Sequence, residues 1–193
     1  MIAFTSVFVI SCKDDEKEPE IEKLATTPLY DTLGAFIQGA SNPAGQGTKM
    51  ITDPEDKNKK IQAGRLAIRT VIQEAENVLA ADPMMAEYFP TLLAEVGAGN
   101  TTGFIKLRET FTDLIQEVAS GQKVYKGLDM VKTHDHKTNP RFGSDTERFA
   151  DNAIFDQFLT DVVKAMTNLK VPASVQGQLG AALESTRKDV VQE

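Results

Sequence analysis

Three long stretches of this chain repeat apolar residues at intervals of three and four, and that spacing constrains the fold more than any other feature. Ile68, Val71, Ile72, Ala75, Val78 and Leu79 fall on one face of a helix. Phe104, Leu107, Phe111, Leu114, Ile115 and Val118 repeat the pattern, as do Ile154, Phe155, Phe158, Leu159, Val162 and Met166. The residue before a proline avoids the α region, so the first helix should stop at Asp82-Pro83. Ser120-Gly121 should end the second, and Asp151 should cap the third long one. A shorter helix is expected from about Lys123 to His134. A last one opens at Pro172, with Val175, Leu179, Leu183, Thr186 and Val190 inward. Residues 39–60, 97–103 and 135–148 read as loops, the first and third rich in turn residues. No segment alternates with period two for long enough to read as a strand. The predicted class is all-α.

Composition limits the partners. The chain has 193 residues, of which 41% are apolar and 25% charged, enough for one domain with tails. Its net charge of −7 repels phosphate backbones and argues against nucleic acid as a partner. No apolar run reaches the roughly 18 residues that a membrane-spanning helix needs. A single cysteine rules out an internal disulfide.

That cysteine stands at an informative place. Residues 2–10, IAFTSVFVI, form a short apolar stretch that meets Ser11 and Cys12. Met1 leads straight into it without a basic segment, which implies a start further upstream or a minimal signal. Val9-Ile10-Ser11-Cys12 resembles the lipobox of bacterial lipoproteins, and Lys13-Asp14-Asp15-Glu16 resembles an export signal of surface lipoproteins. The resemblance implies cleavage before Cys12 and lipidation of its sulfur. Residues 1–11 are thus read as a signal, 12–28 as an acidic tether and 29–193 as the domain. Fifteen extended residues reach roughly 50 Å, enough to hold a domain clear of a lipid surface. The expected location is the cell envelope, anchored to the outer membrane.

Few residues offer chemistry. His134 and His136 flank Asp135, but a closed zinc site wants four nitrogen or sulfur ligands, and this chain has two histidines and one cysteine. The glycine, serine and histidine motifs of nucleotide-binding and hydrolytic sites are absent from the sequence. Acidic runs single out no carboxylate pair.

An ordered string of short motifs says more. Leu29-Tyr30-Asp31-Thr32-Leu33-Gly34 opens the domain, and Val78 to Pro83 leads to Tyr88-Phe89. Tyr125-Lys126-Gly127-Leu128-Asp129-Met130 is followed four residues later by His134, and Thr186-Arg187-Lys188-Asp189 closes the chain. In this order the motifs resemble a truncated haemoglobin of the group I type, over most of residues 29–192. The resemblance implies a globin-like helical sandwich with loop insertions, and haem as cofactor. Its pattern Y-x-G-x-x-M-x-x-x-H makes His134 the iron ligand, with Tyr125 and Met130 beside the cofactor. It places Phe89 against the haem, and Leu107 and Phe111 over the opposite, distal face. His136 is out of register and is held in reserve.

The departures bear on function. Glu76 stands where the family carries a distal Tyr or Phe, and Phe111 replaces a polar distal residue. Ionised, Glu76 would repel bound O₂; protonated, it could donate to it. Insertions follow Gly34, Phe89 and His134. The implied role is reaction with a small diatomic ligand, O₂ or NO, or redox sensing. Turnover of NO would require a separate reductase. The alternative is a haem-free helical lipoprotein acting as an interaction scaffold.

Overall fold

The computed structural model describes residues 26–139 and 149–192. Cys12, the signal and most of the tether lie outside the described residues, as do residues 140–148 of the third loop. The chain order is α1 (Pro28–Gln38), β1 (Met50–Thr52), β2 (Lys60–Gln62), α2 (Ala63–Ala81), α3 (Pro83–Ala86) and α4 (Pro90–Gly97). There follow α5 (Thr102–Ser120), α6 (Met130–His134), α7 (Asn152–Asn168), α8 (Ala173–Glu184) and α9 (Arg187–Val190).

Local chemistry sets the helix ends. Thr27 accepts the Tyr30 N–H at 3.1 Å ahead of Pro28, and Gly39 closes α1 at φ 65°. Asp82 ends α2 before Pro83 and caps α3 through the N–H groups of Met84 and Met85. Asp151 caps α7 by accepting from Ile154 at 2.9 Å. Gly121, at φ 75°, ends α5.

All six apolar residues read from the α2 pattern are buried. This helix is the spine of the core: α1 lies along it, and α5 and α7 each pack across α2 and α8. That arrangement is the helical sandwich the sequence implied. Replacing a fully buried member such as Ile68 by alanine would cost about 2–5 kcal/mol.

Tyr30 explains the opening motif. Its side chain is fully buried and its hydroxyl donates to Gln62 at 2.6 Å. Gly47 and Gly64 flank the ring so closely that a Cβ on either would fall 2.6 Å from it. Asp31, next in sequence, accepts the N–H groups of Gly45 and Gly47, both at 3.0 Å, and pins the loop that covers Tyr30.

Four expectations need correction. The 39–60 loop contains strand β1, paired antiparallel with β2 so that Ile51 faces Ile61. Three-residue strands are too short to show alternation, and Arg69 anchors the ribbon by a two-pronged bond to Asp53 at 2.6 and 3.0 Å. The helix expected from Lys123 begins only at Met130. The last helix breaks at Ser185, leaving α9 as a separate turn. The apolar stripe of α5 does not face inward throughout: Thr112, Ile115, Gln116, Ala119 and Ser120 are buried, while Val118 is 41% exposed. The cause is polar, since Arg65 of α2 grips Asp113 at 2.6 Å and Gln116 at 2.7 Å and fixes the rotation of α5.

Candidate functional site

The segment before α6 is extended because side chains take its backbone bonds. The Glu117 carboxylate accepts the N–H groups of Val124 and Tyr125 at 3.1 and 3.0 Å. The Tyr125 hydroxyl reaches forward to the Leu128 carbonyl at 2.6 Å. Asp129 then caps α6 by accepting from Lys132 at 2.9 Å. This cap, rather than Lys123, sets where the helix starts.

His134 ends that helix. Its Nδ1 lies 2.8 Å from the Met130 carbonyl, one turn earlier. A carbonyl can only accept, so Nδ1 carries the proton and the lone pair is on Nε2. Among the described residues Nε2 has no hydrogen-bond partner. Burial pulls the imidazole below its ordinary pKa, against the opposing effect of the Met130 bond, so the ring is neutral at pH 7. A neutral, oriented imidazole with a free Nε2 suits a metal ion held from one side.

His136 is used differently. Its Nδ1 meets the Gln192 side-chain oxygen at 3.0 Å, and its ring stacks on Phe149 with centroids 5.5 Å apart. Gln192 also donates its backbone N–H to Ala150 at 2.9 Å and its amide to Val131 at 3.4 Å, so the tail backs the segment that carries His134. Asp135 is taken up by the Lys137 N–H and the Thr138 hydroxyl. Among the described residues no group of three His, Cys, Asp or Glu could hold a metal, so the two histidines and Asp135 do not form a closed site.

On α5, Phe104, Leu107, Phe111 and Leu114 are half-buried. Phe111 meets Phe158 of α7 at 6.0 Å, while Phe89, at the start of α4, packs on the margin of the core. The helix thus docks through its small and polar face and leaves much of its apolar stripe only partly covered. Tyr125 and Met130 act here on the backbone around α6.

Glu76 lies on α2 and is 6% exposed. Its Oε2 accepts from the Arg108 Nε at 2.8 Å, and its Oε1 is buried without a partner among the described residues. Burial raises the carboxyl above its ordinary pKa in spite of Arg108. The guanidinium also lies 5.4 Å from the centre of the Phe104 ring. Sequence reading missed Arg108. Its place on the polar edge of α5 was visible, but its pairing across 32 residues was not.

No protein-family model and no curated protein matches this chain. Among solved structures it is similar to the truncated haemoglobin of Tetrahymena pyriformis, a tyrosine-to-phenylalanine variant in the Fe(III) form. The TM-score is 0.51 at 19% identity, over 66% of this chain and 92% of that one. The fold is globin-like, of the truncated type.

Proposed function

We propose that this chain binds haem with His134 as the iron ligand. The observation that carries the reading is the His134–Met130 bond, which fixes the tautomer and leaves Nε2 free on a partly buried, neutral ring. Haem, when bound, supplies an iron centre that takes up a small diatomic ligand such as O₂ or NO. The chain's own residues do the rest. The Met130 carbonyl orients the imidazole and increases its basicity. Tyr125 and Asp129 hold the start of α6. Phe104, Leu107 and Phe111 offer an apolar surface that keeps water from the cofactor, and by resemblance Phe89 adds to it. With Glu76 and Phe111 in place of the family's usual distal residues, the role that fits is ligand reaction or redox sensing rather than tight oxygen storage.

The test is titration of purified protein with hemin. A Soret band should form with native protein and with His136→Ala, and should be lost in His134→Ala. Absence of a band with native protein would favour the haem-free scaffold instead.

The second part of the reading is location: lipidated Cys12 anchors the domain in the cell envelope. Support comes from the Val9-Ile10-Ser11-Cys12 pattern and the charged tether that follows. Native protein should fractionate with membranes and Cys12→Ala should be released. Protease added to intact cells then separates the outer surface from the periplasm.

A further inference from the structure

The two most exposed large apolar side chains among the described residues stand three positions apart, in the segment that carries His134. They are Leu128, 59% exposed just before α6, and Val131, 54% exposed on its first turn. Single exposed aliphatics need no explanation, but a pair on one turn does. Both are held rigidly. The Leu128 carbonyl accepts from the Tyr125 hydroxyl at 2.6 Å and the Thr133 hydroxyl at 3.2 Å, and the Val131 carbonyl accepts from the Gln192 amide at 3.4 Å. A preset pair of this kind loses little freedom when a partner covers it.

Charge singles out the same segment. Residues 121–139 contain Lys123, Lys126, Lys132 and Lys137 against Asp129 and Asp135, an excess of two positive charges in a chain of net charge −7. All four lysines are exposed. Lys123 and Lys132 lie 3.9 and 3.2 Å from Glu117 and Asp129, whereas Lys126 and Lys137 have no ion pair among the described residues. The other lysine cluster, Lys57, Lys59 and Lys60 at the β-ribbon, follows Asp53, Glu55 and Asp56 and carries no net charge with them. A rigid apolar pair flanked by unpaired lysines matches a protein surface that is acidic around an apolar patch. A lipid surface is matched less well, because carboxylates of the chain already engage two of the four lysines.

We propose that the face of α6 bearing Leu128 and Val131 docks a one-electron carrier protein with an acidic surface. The docking face stands on the exposures and charges above. The carrier assignment rests on the haem reading, since a partner seated there lies against the helix that ends in His134. One electron leaves the reduced carrier and turns Fe(III) into Fe(II), with no atom transferred. The lysines steer the encounter and set its orientation, and the aliphatic pair holds the complex once water is excluded.

The probe is an acidic two-iron, two-sulfur ferredoxin. Binding of its oxidised form is measured by titration calorimetry with both apo and hemin-loaded protein. Reduction of the loaded ferric protein by the reduced probe is followed at the Soret band. Binding should weaken as ionic strength rises. Lys126→Glu combined with Lys137→Glu should weaken binding and slow reduction by about tenfold. Leu128→Ser should weaken binding by about threefold and leave the salt dependence unchanged. Lys57→Glu on the ribbon should stay within about twofold of native protein, as should reduction of every variant by dithionite. No binding at low ionic strength, indifference to salt, an equal loss in Lys57→Glu, or capture by phosphatidylglycerol vesicles in place of the ferredoxin would overturn the proposal. Failure of the haem reading looks different: the apo protein would bind the probe with the same lysine dependence, yet hemin would give no Soret band. That result would keep the docking face and overturn the carrier assignment.

Discussion

The Tyr125 hydroxyl fills the space that a side chain on Gly127 would need. A Cβ on Gly127 would lie 2.5 Å from the Tyr125 Cζ and closer still to the hydroxyl oxygen. The glycine of the Y-x-G-x-x-M-x-x-x-H pattern thus lets the ring fold over it to reach the Leu128 carbonyl. Gly127→Ala should push the ring away and loosen α6, lowering stability by about 1–3 kcal/mol. Tyr125→Phe loses one hydrogen bond, about 1 kcal/mol. Thermal melts rank the two, and hemin titration should show weaker uptake in the alanine variant.

A second close packing lies far from His134. Gly64→Ala would set a Cβ 2.6 Å from the ring of Tyr30, which is fully buried and has nowhere to move. The expected cost is about 2–3 kcal/mol, against about 1 kcal/mol for Tyr30→Phe, which gives up only the Gln62 bond. Denaturant unfolding with a shared m-value measures the difference.

Asp161 of α7 is 3% exposed, and its Oδ2 has no partner among the described residues. Burial, and then the nearby Asp82 carboxylate, raise its pKa. A raised folded-state pKa favours the fold in acid, and the advantage is lost as pH rises through that value. At pH 7 the ionised group is therefore a burden. Asp161→Asn should raise the Tm at pH 7 by roughly 2–4 °C, the shift that about 1 kcal/mol makes in a domain of this size. Near pH 4 the gain should shrink.

Asp53 behaves in the opposite way. The hydrogen bond from Arg69 holds its carboxyl below the usual range, so the pair stabilises the fold above the unfolded-state pKa and fails as pH falls through the folded one. Arg69→Met leaves the buried carboxylate with only the Glu55 N–H and should cost about 2–3 kcal/mol at pH 7. Melting curves from pH 7 down to pH 3 should converge for native and variant proteins.

Much of this architecture was legible in the sequence, and the reasons differ by element. The α2 stripe is long, apolar and ended by Asp82-Pro83, so periodicity alone placed it. The α5 stripe was equally regular, yet it misled, because Arg65 selects the polar face for docking. The start of α6 was legible in principle from Asp129 as a cap, but a five-residue helix shows too little period to outweigh the residues before it. His134 could be picked out only through its fixed distance from Tyr125, Gly127 and Met130. Arg108 and the Gln192 tail escaped notice because their partners are distant in the chain, 32 residues for Arg108 and 56 and 61 for the side chain of Gln192.

The Gln192 contacts carry a consequence for synthesis. Residues 131–136 are braced by Gln192, and Gln192 is held in turn by Ala150. Contacts of such sequence separation form late, since the intervening chain must be made and folded first. On the ribosome, residues 131–136 emerge long before this brace exists, and they take their final setting only after residue 192 has been translated and docked.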